Sequence, residues 1–131
     1  MTKVYFAISF SGRKKFDAEI SYLVKEASKS EIEIFVFVDQ YHFKNDQEKE
    51  MMQVAFETIE KSDFLIAELT HKSIGVGIEV GYAHAIKKPI IYLRKKGSAY
   101  STTTAGCSDY SIEYTTKKDL TNQVVKIIKS K

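Results

Sequence analysis

The sequence predicts a single α/β domain with a five-stranded, mostly parallel, doubly wound sheet and helices on both faces. Short apolar runs alternate along the chain with longer amphipathic stretches, which is the order of strands and helices in a parallel sheet. The apolar runs are continuous instead of alternating with polar residues, as is typical of strands buried on both faces. Because 131 residues is the length of one domain, we expect residues 1–131 to form one Rossmann-like unit.

Five apolar runs are predicted to be the strands of this sheet. They are rich in isoleucine, valine and phenylalanine, and turn residues or polar loops separate them from the stretches that follow. The third run is apolar throughout except for Glu68. The five predicted strands are Val4–Ile8, Ile32–Val38, Asp63–Leu69, Pro89–Leu93 and Tyr110–Tyr114.

Apolar residues at three- and four-residue spacing predict the helices that connect these strands. The predicted helices run through residues 16–27, 46–61, 77–86 and 120–128. Parallel sheets bind ligands beyond the carboxyl ends of their strands, so the loops that follow the strands are the expected functional regions. These loops are Ser9–Arg13, Asp39–Asn45, Thr70–Gly77 and Lys95–Gly106.

Composition and charge exclude several classes of protein. Hydrophobic residues make up 44% and charged residues 28%, which is ordinary for a globular domain and excludes disorder, collagen and coiled coil. No apolar run approaches the roughly 20 residues that span a bilayer, so no membrane partner is expected. The net charge of +3 comes from residues 117–131, which carry five lysines and one aspartate. A positive charge confined to one terminal helix is typical of a solvated face, so nucleic acid is not an expected partner.

Cysteine and histidine usage predicts no disulfide, no metal and no cofactor. Cys107 is the single cysteine, which excludes a disulfide framework and favours a reducing, cytoplasmic location. The first residues lead directly into a strand without the apolar stretch of a signal peptide, which also favours the cytoplasm. His42, His71 and His84 do not have the spacing of metal ligands.

The loop after the third strand has the features of an anion-binding helix start. Ser73, Gly75 and Gly77 lie just before or within the predicted helix N-terminus, where backbone N–H groups and the helix dipole attract negative charge. Glycine also lets a phosphate group approach the backbone closely. Glu79 follows in the predicted first turn, where a carboxylate is favourable without any catalytic function. From the residues alone, a structural and a catalytic Glu79 both stay open.

The segment from Ala67 to Ala83, followed by Lys88-Pro89-Ile90, resembles the active-site block of the nucleoside 2-deoxyribosyltransferase superfamily. Within that superfamily it most resembles the 2′-deoxynucleoside 5′-phosphate N-hydrolases. Val4–Ser9 is similar to that family's first strand and substrate loop, and Gly97–Ser101 to its C-terminal phosphate-contacting segment. The resemblance implies an enzyme that splits a 2′-deoxynucleoside 5′-monophosphate into free base and deoxyribose 5-phosphate without a cofactor.

The resemblance also implies a role for each candidate residue. Glu79 is the expected nucleophile at C1′ of the deoxyribosyl group, and Tyr5 is expected to lie over the sugar and position that nucleophile. Ser9 and Ser73 match positions that line the sugar–phosphate site, where the two loop glycines are expected to offer backbone donors. Ser101 matches a serine that reaches the phosphate in the neighbouring subunit's site, which implies a homodimer.

Two positions depart from the family's pattern. The family carries an aspartate, eight residues before the start of the third strand, that protonates or orients the leaving base; here that residue is Ala55. A missing proton donor costs about 10²–10⁴-fold in rate, so Glu48 and Asp39 are the expected substitutes on position alone. Ser11 stands where the N-hydrolases usually have an arginine, and the neighbouring Arg13 is its expected substitute.

Three functions therefore stay open, each with a small-molecule nucleotide or nucleoside as partner. The first is the N-glycosidase that hydrolyses deoxynucleoside monophosphates. The second is a deoxyribosyltransferase, in which a second base instead of water accepts the sugar. The third is a nucleotide-binding sensor that has lost catalysis, which Ala55 favours and the Gly-x-Gly-x-Glu segment opposes.

Overall fold

The computed structural model describes residues 1–40 and 42–131. Within these residues five strands form one sheet in the order β2-β1-β3-β4-β5, and every neighbouring pair is parallel. The predicted doubly wound α/β fold is confirmed, and the sheet is parallel throughout. The strands are β1 Thr2–Ile8, β2 Ile32–Val36, β3 Phe64–Glu68, β4 Ile90–Lys95 and β5 Tyr110–Tyr114.

Helices cover both faces of this sheet. A 3₁₀ turn, Arg13–Phe16, precedes the first helix. Across the part of the chain that the structure describes, no helix is both long enough and apolar enough to cross a membrane. The helices are α1 Asp17–Ser28, α2 Phe37–Gln40, α3 Glu48–Glu60, α4 Ile74–Ala85, α5 Thr102–Cys107 and α6 Lys117–Lys129.

The alternation of side chains along β1 divides the core into two halves. Val4, Phe6 and Ile8 face α1 and α6 on one side of the sheet. Tyr5 and Ala7 face the other side, where α3 and α4 pack. Because β1 and β3 pair at the point where the strand order reverses, their carboxyl ends open into the crevice where such sheets bind ligands.

Strand β2 is shorter than the apolar run predicted. The run continues to Val38, but the strand ends at Val36, the last residue paired with β1, and Phe37–Gln40 forms a helical turn. The apolar character continues because Phe37 is buried for a different reason: its ring stacks on that of Tyr5 at 5.6 Å between centroids. Asp39 therefore lies in a helical turn and not at a strand end.

Two helix starts also differ from the sequence prediction. Helix α4 begins at Ile74, earlier than predicted, because the Ser73 hydroxyl caps it and its glycines mask the helical pattern. Helix α5 lies within the predicted loop 95–106, in a threonine-rich sequence with low intrinsic helix propensity. Ser101 caps it by accepting a hydrogen bond from the Thr104 backbone N–H at 3.2 Å.

Candidate active site

A cleft of about 350 Å³ opens at the carboxyl edge of the sheet, between the start of α4 and the segment that joins β2 to α3. Most of its wall is apolar, and its ionisable side chains among the described residues are Glu79 and His42. The lining residues are Ile8, Phe10, Phe37, Val38, His42, Phe43, Met51, Met52, Ser73, Gly75, Val76 and Glu79.

Glu79 is the buried acid of this cleft. It lies in the second turn of α4, not the first, because the helix begins at Ile74. Its side chain is 8% exposed, and its carboxylate accepts a hydrogen bond from the Tyr5 hydroxyl. Burial raises the pKa of Glu79 to about 7, although the hydrogen bond from Tyr5 opposes that rise. The group is therefore part ionised near neutral pH, as a nucleophile or an acid–base group must be.

The side chain of Tyr5 is held in place by its position on β1 and by its packing in the core. Its position in the middle of β1 points the ring toward α4, and the residue is fully buried. Its ring also stacks on Phe37. The hydroxyl therefore reaches the carboxylate of Glu79 from a rigid element, so the two groups have a defined geometry.

Ser9 lies in a close turn directly after β1. It is 5% exposed, and its hydroxyl accepts the Gly12 backbone N–H at 3.0 Å. A Cβ atom at Gly12 would lie 2.7 Å from the Ser9 oxygen, so this turn requires glycine. The Ser9 hydroxyl is still able to donate its own proton. Ser9 is thus held beside the site, although it is not among the cleft-lining residues.

The two loop glycines have different environments. Gly75 lines the Glu79 cleft in the first turn of α4, where helix N–H groups have no intrahelical partner. The N–H of Gly77 donates to the carbonyl of Ser73 at 3.2 Å, so helix formation already uses the donor expected there. Ser73 lines the cleft and accepts the Val76 N–H at 3.3 Å as the helix cap.

Ser101 lies away from the Glu79 cleft of its own chain. It lines a second cavity, of about 310 Å³, on the other side of the start of α4. Gly77 lines this second cavity, and Ser73 lines both cavities, so the two spaces meet at the helix cap. Lys72 and the exposed Ile74 complete its outer wall.

The positions expected to replace the missing acid do not meet Glu79. Ala55 is fully buried on the core-facing side of α3. Glu48 is exposed at the start of α3 and is not among the cleft-lining residues. The carboxylate of Asp39 accepts hydrogen bonds from Arg13 Nε at 2.9 Å and Nη2 at 2.7 Å. Arg13 Nη1 is bound to Asp17 at 2.7 Å, so this guanidinium faces two carboxylates instead of an open phosphate site.

Sequence reasoning missed His42 as a site residue, because it considered histidines only as metal ligands. The sequence signal that could have identified His42 is its position after β2, at the carboxyl edge of the sheet. Within residues 1–40 and 42–131, no group of three or more His, Cys, Asp or Glu side chains is arranged to hold a metal ion.

Glu68, at the end of β3, is a second buried carboxylate that sequence reasoning did not single out. It accepts the Thr70 N–H at 2.8 Å and the Thr70 hydroxyl at 2.6 Å. The Tyr114 hydroxyl donates to it at 2.5 Å. Thr70 in turn accepts the Lys95 backbone N–H at 2.9 Å, so this network connects three of the strands.

The family model for nucleoside 2-deoxyribosyltransferase matches residues 4–125, nearly the whole chain. This protein belongs to the nucleoside 2-deoxyribosyltransferase family. This match confirms the membership that the segment around Glu79 predicts. The family acts on nucleosides or nucleotides.

Curated and solved relatives include both hydrolases and transferases. The 5-hydroxymethyl-dUMP N-hydrolase of Branchiostoma floridae is 34% identical over 71 residues, covering 53% of this chain and 68% of that protein. A CMP N-glycosidase from Clostridium botulinum superposes with a TM-score of 0.71 at 21% identity, covering 94% and 98% of the two chains. A 2-deoxyribosyltransferase from Bacillus psychrosaccharolyticus gives 0.73 at 14% identity, covering 92% and 91%. These two structures establish the shared fold.

Proposed function

We propose that this protein is an N-glycosidase that hydrolyses 2′-deoxynucleoside 5′-monophosphates to free base and deoxyribose 5-phosphate. The observation that carries the proposal is the Glu79 carboxyl, buried in a ligand-sized cleft and bound by the Tyr5 hydroxyl. The hydrolytic outcome is supported by the N-hydrolase relative from Branchiostoma floridae.

Glu79 acts as the nucleophile in two displacements. In the first, a carboxylate oxygen of Glu79 bonds to C1′ while the bond from C1′ to the base breaks and its electron pair leaves with the base. In the second, water attacks C1′, the ester breaks, and the carboxylate is regenerated as the water loses a proton. The Tyr5 hydroxyl donates to the carboxylate throughout, holding the attacking oxygen in position and stabilising its charge in the second step.

The cleft divides into a base end and a sugar–phosphate end. Phe37, Phe43 and Met51 give the base end a planar, apolar wall suited to a nucleobase. Ser73 and the first-turn N–H groups of α4 form the sugar–phosphate end, with Ser9 held in the turn beside it, and the helix N-terminus attracts the phosphate.

We also propose that the protein works as a homodimer in which Ser101 serves the partner's phosphate site. Ser101 lies outside the cleft of its own chain and shares a cavity with Ile74, which is 86% exposed; Ile78, on the next turn of α4, is 48% exposed. Sedimentation equilibrium at micromolar concentration is expected to give twice the chain mass. A monomer that retains full turnover would contradict this assembly. A cytoplasmic location stays a prediction.

The experiment that tests the function is release of free base, followed by chromatography, from a substrate panel. The panel holds deoxy and ribo forms, with and without 5′-phosphate, and with and without a second acceptor base. Wild-type protein is compared with Glu79→Ala and with Glu57→Ala, a control that removes an exposed glutamate from α3. We expect acceptor-independent release from deoxynucleoside monophosphates, lost in Glu79→Ala and retained in the control.

The other two functions give different results in the same panel. Release that requires an acceptor base would identify a deoxyribosyltransferase. Binding of nucleotide without release from any substrate would identify a sensor. Release that survives in Glu79→Ala would exclude Glu79 as the nucleophile.

A further inference from the structure

The reaction proposed above needs a proton at the departing base, and the family's acid position is Ala55. An expelled purine or pyrimidine anion is a poor leaving group, so a positioned proton donor is worth about 10²–10⁴-fold in rate. The following inference rests on the proposed function, because it asks which side chain of this chain supplies that proton.

Among the described residues, the lining of the cleft offers one candidate for the proton donor. Glu48 and His42 are both exposed, but only His42 of the two lines the cleft, and Asp39 is bound by two nitrogens of Arg13. Among the described lining residues, the ionisable side chains are Glu79 and His42. Glu79 is already the nucleophile, so His42 is the group left to exchange a proton with the substrate.

His42 also lies on the side of the cleft where the base must be. A nucleophile and a leaving group occupy opposite faces of the sugar carbon that they share. Glu79 reaches the cleft from α4, and His42 belongs to the segment between α2 and α3. That same segment supplies Phe43, and the adjoining α2 supplies Phe37; together they form the aromatic wall for the base. The imidazole therefore shares the base end of the cleft.

We propose that His42 protonates the departing base, in place of the family's carboxylic acid. As the bond from C1′ to the base breaks, the bonding electron pair goes to the base and the imidazolium of His42 gives it a proton. The neutral imidazole then takes a proton from the water that displaces Glu79 from C1′. One water is consumed, and both His42 and Glu79 return to their starting states. Imidazole is suited to both steps because a ring nitrogen can give up a proton and later take one back.

The test compares leaving groups that differ in their need for a proton. In dGMP the base departs with help from an acid, whereas in 7-methyl-dGMP the base already carries a positive charge and leaves neutral. For His42→Gln we expect kcat on dGMP to fall by about 10²-fold or more, and kcat on 7-methyl-dGMP to change by less than about threefold. His84→Gln, which removes an exposed histidine at the other end of α4, serves as the matched control and should change neither.

A purely structural or binding role for His42 gives a different pattern. Equal losses on the two substrates, or no loss on dGMP, would overturn the proposal. If the wild type accepts only pyrimidines, dUMP and 5-fluoro-dUMP replace the purine pair, since fluorine stabilises the departing anion. A wild type that releases no base from any nucleotide would defeat the proposed function itself, which separates that failure from a failure of the His42 assignment.

Discussion

Two buried glutamates lie at the carboxyl side of the sheet, and they differ in how fully their oxygens are bonded. Glu68 is 2% exposed and accepts three hydrogen bonds, two from Thr70 and one from Tyr114. Glu79 is 8% exposed and, among the described residues, accepts one hydrogen bond, from Tyr5. Burial raises the pKa of both carboxyl groups above the usual glutamate value.

We interpret this difference as the one between a structural carboxylate, Glu68, and the proposed nucleophile, Glu79. The oxygens of Glu68 are occupied by donors from the loop after β3 and from β5, so it joins those segments, and it lines neither of the two cavities described above. Glu79 lines the cleft with acceptor capacity left on its oxygens. A carboxyl that is buried, incompletely bonded and open to a ligand-sized space has the properties of a nucleophile.

The largest effect that tests this comparison is on turnover. Glu79→Gln removes the attacking oxygen's charge, so base release should fall by at least about 10³-fold. Glu68→Gln changes a side chain outside the cleft, so the rate of base release should stay within about tenfold of the wild-type rate. Steady-state base release measured on both folded variants checks this. If Glu68→Gln were as inactive as Glu79→Gln, the division between the two glutamates would be wrong.

A smaller effect is expected from the two tyrosines that donate to these glutamates. Tyr5→Phe removes the hydrogen bond that lowers the pKa of Glu79, so that pKa should rise further above 7. Because the ionised carboxylate attacks, the acid limb of the pH–rate profile should move to higher pH, with about a tenfold loss at pH 7. Tyr114→Phe is the matched control and should leave the limb in place. If Tyr5→Phe left the pH–rate profile unchanged, the Tyr5 hydroxyl would not control the ionisation of Glu79.

An effect on stability also distinguishes the two sites. The folded-state pKa of Glu79 is raised from 4.5 to about 7, so the folded protein binds more protons than the unfolded chain between these values. Wild-type stability therefore contains a contribution that is complete below pH 4.5 and is lost as the pH rises through 7. At about 1.4 kcal/mol per pKa unit, that contribution is on the order of 3 kcal/mol.

Urea unfolding at pH 5 and pH 8 measures this contribution. Glu79→Gln lacks the ionising group, so relative to the wild type it should gain about 1–3 kcal/mol on going from pH 5 to pH 8. Glu68→Gln should be less stable than the wild type by about 1–3 kcal/mol at pH 5, because an amide NH₂ would face donors in a buried network. A Glu79→Gln protein whose difference from the wild type is the same at both pH values would contradict the burial of an ionising carboxyl.

The candidate site was predictable wherever a local pattern carried the information. The period of two along β1 places Tyr5 on the opposite face from Val4 and Phe6, and the structure has that division. The segment around Ser73 and Glu79 indicated the family, but the predicted helix start was later than the observed one at Ile74. Hydrophobic patterning fails at Phe37, where the apolar run predicts that the strand continues but the structure has a helical turn. An apolar residue gives the same sequence pattern in either element.

The sequence by itself determined the strands, the packing faces and the family of this protein, because apolar period and turn residues act over a few neighbouring positions. Only the tertiary structure joined Tyr5 to Glu79 across 74 positions, engaged Asp39 with Arg13, and brought His42 to the cleft. The raised pKa of Glu79 also depends on the tertiary structure. The physical reason is that loss of water around a carboxyl depends on every segment packed around it, and those segments are distant in the chain.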